Sequence, residues 1–264
     1  MPSAQPIGIF DSGVGGLSVW RHIRQQLPQE QLLYYADQGH VPYGPRPAGE
    51  ILTFARQITD FLLARNAKLI VIACNTATAA ALKQLRLDYP AVPFVGMEPA
   101  VKPGAQQTRT GVVAVLARAG TFQSQQYANL MERFGRGITL LEDPCLGLVE
   151  QIETGATASA ATRALLADIV NPMLAAGADT FILGCTHYPF IEPLLRELVG
   201  TAVIIDPAPA VARQVERRLD ELDLLAANLS GADQFFTSGD PAGLQQFLHD
   251  QLGLIANVVN ARAT

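Results

Sequence analysis

Two cysteines occupy matched settings in this chain. Cys74 closes the apolar run Leu69-Ile70-Val71-Ile72-Ala73 and opens Cys74-Asn75-Thr76. Cys185 closes Thr180-Phe181-Ile182-Leu183-Gly184 and opens Cys185-Thr186-His187. The stretches upstream, 63–68 and 174–179, also match. Each reads as a helix end, a short turn, a buried strand and a cysteine at the strand's C-terminal tip, where open α/β sheets bind ligands. A thiol is a weak acid, with a pKa of about 8.5 when free. A thiol at each of two equivalent tips suits a reaction needing one base and one acid on opposite faces of a carbon. The spacing predicts a helix N-terminus just after each cysteine, which favours the thiolate. Those free N–H groups, with Asn75, Thr76 and Thr186, could equally bind a substrate carboxylate. Cysteine is often only a small buried hydrophobe, but two in equivalent settings weigh against that reading.

Other chemistry-bearing residues gather near the predicted strand tips. His187, two residues after Cys185, has the near-neutral pKa of a proton carrier; the plainer alternative is a helix-capping histidine. A C-x-H pair lacks the paired spacing of zinc sites, so no metal is expected. Asp11 and Ser12 open Asp11-Ser12-Gly13-Val14-Gly15-Gly16 at the first tip. That spacing is neither the dinucleotide nor the P-loop pattern, and an acid there would repel phosphate. Asp37, Pro42, Tyr43 and Gly44 occupy the second tip and its loop. Tyr43 and the Gly44 N–H could reach a carboxylate. Glu98 and Glu150 are acids expected beside strand ends, with solvated or capping roles as the alternative. Cys145 has no polar follower and reads as packing, and Trp20 reads as core.

These residues need elements to hold them. Apolar runs alternate with helical patterns: strands at 7–10, 32–36, 69–73, 94–96, 110–116, 137–141, 180–184 and 202–206. Helices are expected near 17–27, 48–65, 76–88, 121–134 and 158–176. Such alternation implies α/β architecture with mainly parallel sheets flanked by helices. The second half repeats the order of the first, so two similar α/β domains are expected: 1–97 plus a returning tail 208–264, and 98–207. In the tail, a helix at 208–225, a strand at 234–237 and a helix capped by Asp240-Pro241 are expected, with an exposed end at 260–264.

The 264 residues are 49% hydrophobic and 16% charged, enough for a substantial core. The net charge of −5 argues against general affinity for nucleic acid or an anionic membrane. No apolar segment reaches membrane-spanning length, and the N-terminus lacks the form of a signal peptide. Three cysteines without framework spacing fit a reducing, cytoplasmic setting.

Taken together, Asp11-Ser12-Gly13-Val14-Gly15-Gly16, Tyr43-Gly44, Cys74-Asn75-Thr76-Ala77, Glu98-Pro99 and Gly184-Cys185-Thr186-His187-Tyr188-Pro189 resemble the glutamate racemases of bacterial cell-wall synthesis. The resemblance runs in order from about residue 7 to 240. It implies cofactor-independent interconversion of L- and D-glutamate for peptidoglycan synthesis, in an active site between two α/β domains. By that likeness Cys74 would take the α-proton from D-glutamate and Cys185 from L-glutamate. Asp11 and His187 would assist them, while Ser12, Pro42, Tyr43, Gly44, Asn75, Thr76, Thr121 and Thr186 would bind substrate. Asp37 and Glu150 are further candidates. The family often dimerises, so a homodimer is an expectation. One departure stands out: Arg118, in Val115-Leu116-Ala117-Arg118-Ala119-Gly120-Thr121, replaces a family threonine. It could hold a carboxylate bidentately or point away.

Three other readings remain at this stage. A related racemase could act on aspartate or another small acid. A Cys185–His187 pair could serve acyl transfer. A non-catalytic module could simply bind a small acid.

Overall fold

The computed structural model describes residues 3–228 and 231–261. In chain order the first elements are β1 (Ile7–Asp11), α1 (Leu17–Gln26), β2 (Leu32–Ala36), α2 (Ala48–Leu63), β3 (Leu69–Ile72), α3 (Asn75–Asp88) and β4 (Phe94–Gly96). Then come α4 (Val101–Gln107), β5 (Val112–Ala117), α5 (Ala119–Phe122), α6 (Gln125–Phe134), β6 (Thr139–Asp143), α7 (Leu148–Glu153), α8 (Ala160–Ala175), β7 (Thr180–Gly184), α9 (Glu192–Val199) and β8 (Val203–Ile205). The tail supplies α10 (Ala208–Glu221), β9 (Gln234–Thr237), α11 (Pro241–Leu252) and β10 (Val258–Asn260). The chain divides into two compact units, Met1–Met97 with Ala208–Thr264, and Glu98–Pro207.

The first unit carries a six-stranded sheet in the order β10-β9-β2-β1-β3-β4, with every pairing parallel. Its inner strands are buried along their whole length, as Leu-Ile-Val-Ile in β3 shows. A parallel sheet covered on both faces requires such continuous apolar runs rather than alternation. Phe10, Leu33, Ile70 and Ile72 pack against Ile51, Ala55, Ile58 and Leu62 of α2 and Ala77, Ala81 and Leu85 of α3. The tail joins the unit through β9 on β2 and α10 on α1. Beneath the sheet, Lys68 and Glu30 form a fully buried ion pair at 2.7 Å. Lys68 Nζ also donates to the Leu224 carbonyl, and Glu30 accepts the Ala226 N–H.

The second unit carries a four-stranded parallel sheet, β6-β5-β7-β8. Val113, Val115, Ala117 and Ile182 form its core with Val101, Tyr127 and Leu130. The two sheets share one internal order. β6-β5-β7-β8 repeats β2-β1-β3-β4, so β3 and β7 are equivalent strands.

Several local expectations are corrected. The helix expected at 121–134 is two helices, because the Ser124 hydroxyl accepts the Tyr127 N–H and starts a new one. The helix expected to reach 225 stops at Glu221, before Asp223 turns left-handed at φ 53°. Helix α4 lies in Val-Lys-Pro-Gly-Ala-Gln-Gln, which reads as a breaker. Proline is tolerated in a first turn, and Gly104 is there for packing, since a Cβ would lie 2.6 Å from Ile182 Cδ1. Asn260, the start of the end expected to be exposed, is exposed though it belongs to β10, and residues 262–264 lie outside the described residues. Among the described residues, no helix is long and apolar enough to cross a membrane.

Candidate active site

Cys74 follows β3 and is the N-cap of α3. Its sulfur accepts the Ala77 N–H at 3.4 Å and lies 3.8 Å from the Ser12 hydroxyl. The 14-residue helix behind it directs its positive end at the thiol. Asp11 ends β1 and is wholly buried, and its Oδ1 accepts the Gly13 N–H at 2.8 Å. Gly16 permits this turn, because a Cβ there would stand 2.6 Å from Asp11 Cβ and 3.0 Å from Ala73 Cβ. Asn75 and Thr76, in the first turn of α3, are buried, and both polar atoms of the Asn75 amide are enclosed without a protein partner.

The loop after β2 adds a carboxylate network. Asp37 is buried and accepts hydrogen bonds from the Tyr43 hydroxyl at 2.5 Å and the Ser238 hydroxyl at 2.6 Å. His40 Nδ1 lies 2.9 Å from it. Burial, then the charge of Asp37 and its hydrogen bond, push the Tyr43 phenol far up; Cys74 and Asp11 add to the effect. Tyr43 is therefore a neutral donor whose proton is committed to Asp37. Pro42 and Gly44 flank it and are half-buried. The first unit thus brings Asp11, Ser12, Asp37, Tyr43, Asn75 and Thr76 to one end of its sheet with Cys74.

Cys185 follows β7. Its Sγ lies 3.6 Å from His187 Nδ1, and His187 Nε2 lies 2.6 Å from a Glu153 carboxylate oxygen. Burial alone would pull the imidazole down. The hydrogen bonds to Cys185 and Glu153 outweigh it and hold His187 well above its ordinary value. A protonated His187 donates through both nitrogens, with Nδ1 facing the Cys185 sulfur and Nε2 the Glu153 carboxylate. The expected helix N-terminus here is corrected: residues 188–191 form a 3-10 turn, because Pro189 follows Tyr188 directly, and α9 begins only at Glu192. Stabilisation of this sulfur falls to a side chain instead of a helix end. Thr186 is buried beside Cys185. Thr121 and Arg118 sit at the tip of β5, the strand paired with β7.

Two acids lie elsewhere. Glu98 is exposed after β4, and Glu150 is exposed on α7, not at a strand end. Glu153 is the acid that reaches the histidine, and sequence reasoning missed it. The signal was present: Leu148, Val149 and Ile152 define a buried helical stripe. Position 153, four after Val149, lies on that stripe, whereas 150 lies off it. Cys145 is fully buried, and burial pushes its thiol up strongly. Trp20 packs on Phe235 in the core. Among the described residues, no group of three or more His, Cys, Asp or Glu is placed to hold a metal ion.

The chain matches the Asp/Glu/Hydantoin racemase family over residues 7–215. It is 54% identical over 257 residues to a glutamate racemase of Ectopseudomonas mendocina, covering 97% of this chain and 98% of that protein. Its structure resembles Escherichia coli glutamate racemase in complex with L-glutamate and the activator UDP-MurNAc-Ala, with TM-score 0.86, 29% identity, and 97% of each chain covered. It also resembles the Francisella tularensis glutamate racemase in complex with D-glutamate, with TM-score 0.83, 27% identity, and 97% of this chain and 96% of that one covered.

Proposed function

This chain belongs to the Asp/Glu/Hydantoin racemase family, and from that membership we propose that it interconverts L- and D-glutamate by proton transfer between two thiols. The protein is an amino-acid racemase of the glutamate branch, and D-glutamate for peptidoglycan is the product such an enzyme supplies. The observation that carries the mechanism is the equivalence of Cys74 and Cys185. Each follows the third strand in a β2-β1-β3-β4 order and is buried, Cys74 at a helix N-terminus and Cys185 beside His187.

The chemistry dictates the division of labour. An amino acid's α-proton is a poor acid, because its carboxylate already bears charge. One thiolate removes that proton, and the electron pair passes into the carboxylate as an enediolate. The other thiol then delivers its proton to the opposite face of the carbon. The sulfurs end with their roles exchanged, ready for the reverse direction. Cys74 would act on D-glutamate with Asp11 beside it. Cys185 would act on L-glutamate with His187, which Glu153 holds. Donors aimed at the enediolate oxygens help most in the transition state, each worth about 10²–10³ in rate when well placed. Ser12, Asn75, Thr76, Thr121, Thr186 and the Gly44 N–H are the groups we assign to binding. Tyr43 contributes by fixing Asp37 and the loop from Pro42 to Gly44.

The reaction needs no electron sink beyond the carboxylate, so the proposed mechanism uses no cofactor. A cytoplasmic location fits its free thiols, and sedimentation of the purified chain would read out the expected homodimer. The direct test is incubation with L-glutamate in D₂O, followed by NMR of the α-proton. Signal loss with appearance of the D-enantiomer is expected. An unchanged signal would remove the proposal, and exchange of aspartate alone would reassign the substrate.

A further inference from the structure

Tyr34, on β2, is wholly buried, and its hydroxyl donates to the Gly13 carbonyl at 2.6 Å. The Gly13 N–H donates to Asp11 Oδ1 at 2.8 Å. A side chain therefore holds each of the two peptide groups that Gly13 joins. Ser12 lies within this turn, and its hydroxyl stands 3.8 Å from the Cys74 sulfur. With glycine at 13, 15 and 16, the turn has little stiffness of its own. A buried carbonyl also requires a donor. The Tyr34 hydroxyl supplies both the donor and a fixed point.

The packing around that point is tight. A Cβ on Gly16 would meet Asp11 Cβ at 2.6 Å, Ala73 Cβ at 3.0 Å and the Tyr34 hydroxyl oxygen at 3.0 Å. The phenol thus converges with Asp11 and with the residue before Cys74. Behind it, Phe235 of β9 lies with its ring centroid 6.4 Å from that of Tyr34, and Trp20 backs Phe235 at 5.4 Å. The second unit is built differently. When Cys74 is matched to Cys185, the strand registers match Ile9 with Val115 and Tyr34 with Glu142. Glu142 accepts the Tyr127 hydroxyl at 2.6 Å. The Tyr34 contact is therefore particular to the Cys74 side.

We propose that Tyr34 is a positioning residue for proton transfer at Cys74: its hydroxyl fixes the turn from Asp11 to Gly13, and so sets Asp11 and Ser12 against that thiol. This rests on the reading that Cys74 takes the α-proton from D-glutamate and Cys185 takes it from L-glutamate. Tyr34 acts through the turn, and its effect falls on one of the two proton-transfer barriers.

Glutamate deuterated at the α-carbon reads the two barriers separately. From D-glutamate the Cys74 thiolate takes the deuterium and the Cys185 thiol returns a proton to the opposite face; from L-glutamate the roles are exchanged. Tyr34→Phe should lower kcat/KM by about 10- to 100-fold, the scale of a catalytic group displaced by up to about 1 Å. The fall should be equal in both directions, as a fixed equilibrium requires. The isotope effect on kcat/KM should nevertheless rise from D-glutamate and fall from L-glutamate. A loss of stability alone moves neither, because it changes only the amount of active protein. Should Tyr34→Phe fail to fold, Phe235→Leu, which removes the ring packed on Tyr34, should shift the two effects in the same senses by less. A folded variant whose two isotope effects stay unchanged, or move together, would overturn the proposal. A shift in the opposite senses would leave Tyr34 serving its thiol and reverse the enantiomers assigned to the two cysteines. An α-proton signal that persists in D₂O with the unaltered protein would remove the racemase reading, and this proposal with it.

Discussion

His187 is held from both sides: its Nε2 lies 2.6 Å from Glu153 and its Nδ1 lies 3.6 Å from the Cys185 sulfur. A carboxylate that fixes one ring nitrogen orients the other toward the thiol. The pair raises the imidazole pKa despite burial. His187 therefore contributes stability that is fully present below the unfolded imidazole value of about 6.5, and that stability is lost as pH rises through the folded value. Glu153→Gln removes one raising partner, so the contribution should be smaller and its loss complete at lower pH. The imidazole titration, followed by NMR, should shift downward, and the high-pH limb of turnover should move with it. An unmoved titration would mean that Glu153 does not govern the histidine.

The three cysteines should separate cleanly by substitution. Cys74→Ser and Cys185→Ser should each lower racemisation by at least about 10²-fold, since a positioned acid or base contributes about 10²–10⁴. Cys145→Ser should keep most activity, because serine retains the donor to the Asp143 carbonyl. Rates measured by circular dichroism with each enantiomer decide the matter. Full turnover in either of the first two variants would end the two-thiol mechanism.

Tyr43→Phe tests whether the phenol meets substrate or only Asp37. Its proton is given to Asp37 at 2.5 Å, and its pKa is pushed upward. Loss of the hydroxyl should leave KM nearly unchanged and lower stability by about 1–3 kcal/mol, the cost of an unmet buried hydrogen bond to a charged group. A KM raised tenfold at unchanged stability would place the hydroxyl on the substrate.

The buried Lys68–Glu30 pair secures the chain around Leu224 and Ala226 to the base of the first sheet. Lys68→Met should cost about 3–5 kcal/mol, because it leaves Glu30 buried without its counter-charge. Urea unfolding measures this. A loss below about 1 kcal/mol would show that the pair does not anchor the tail.

How much of this was legible beforehand varies by residue. Strands such as 69–73 and 180–184 stood out because a parallel sheet buried on both faces demands unbroken apolar runs, and such runs do not depend on partners. Helix α4 was hidden because Gly104 answers a contact with Ile182, distant in sequence. The role of Glu153 was similarly hidden, since α7 is a short helix and its partner lies 34 residues away.

The sequence by itself determined the α/β class, the equivalent places of the two thiols and the family, because these follow from local periodicity and from motifs read in order. Tertiary structure alone decided that Glu153, not Glu150, meets His187, and that Tyr43 spends its proton on Asp37. The physical reason is range. Backbone preference and burial are written in neighbouring residues, whereas the partner of a buried polar group is chosen by strand register and helix packing across dozens of positions.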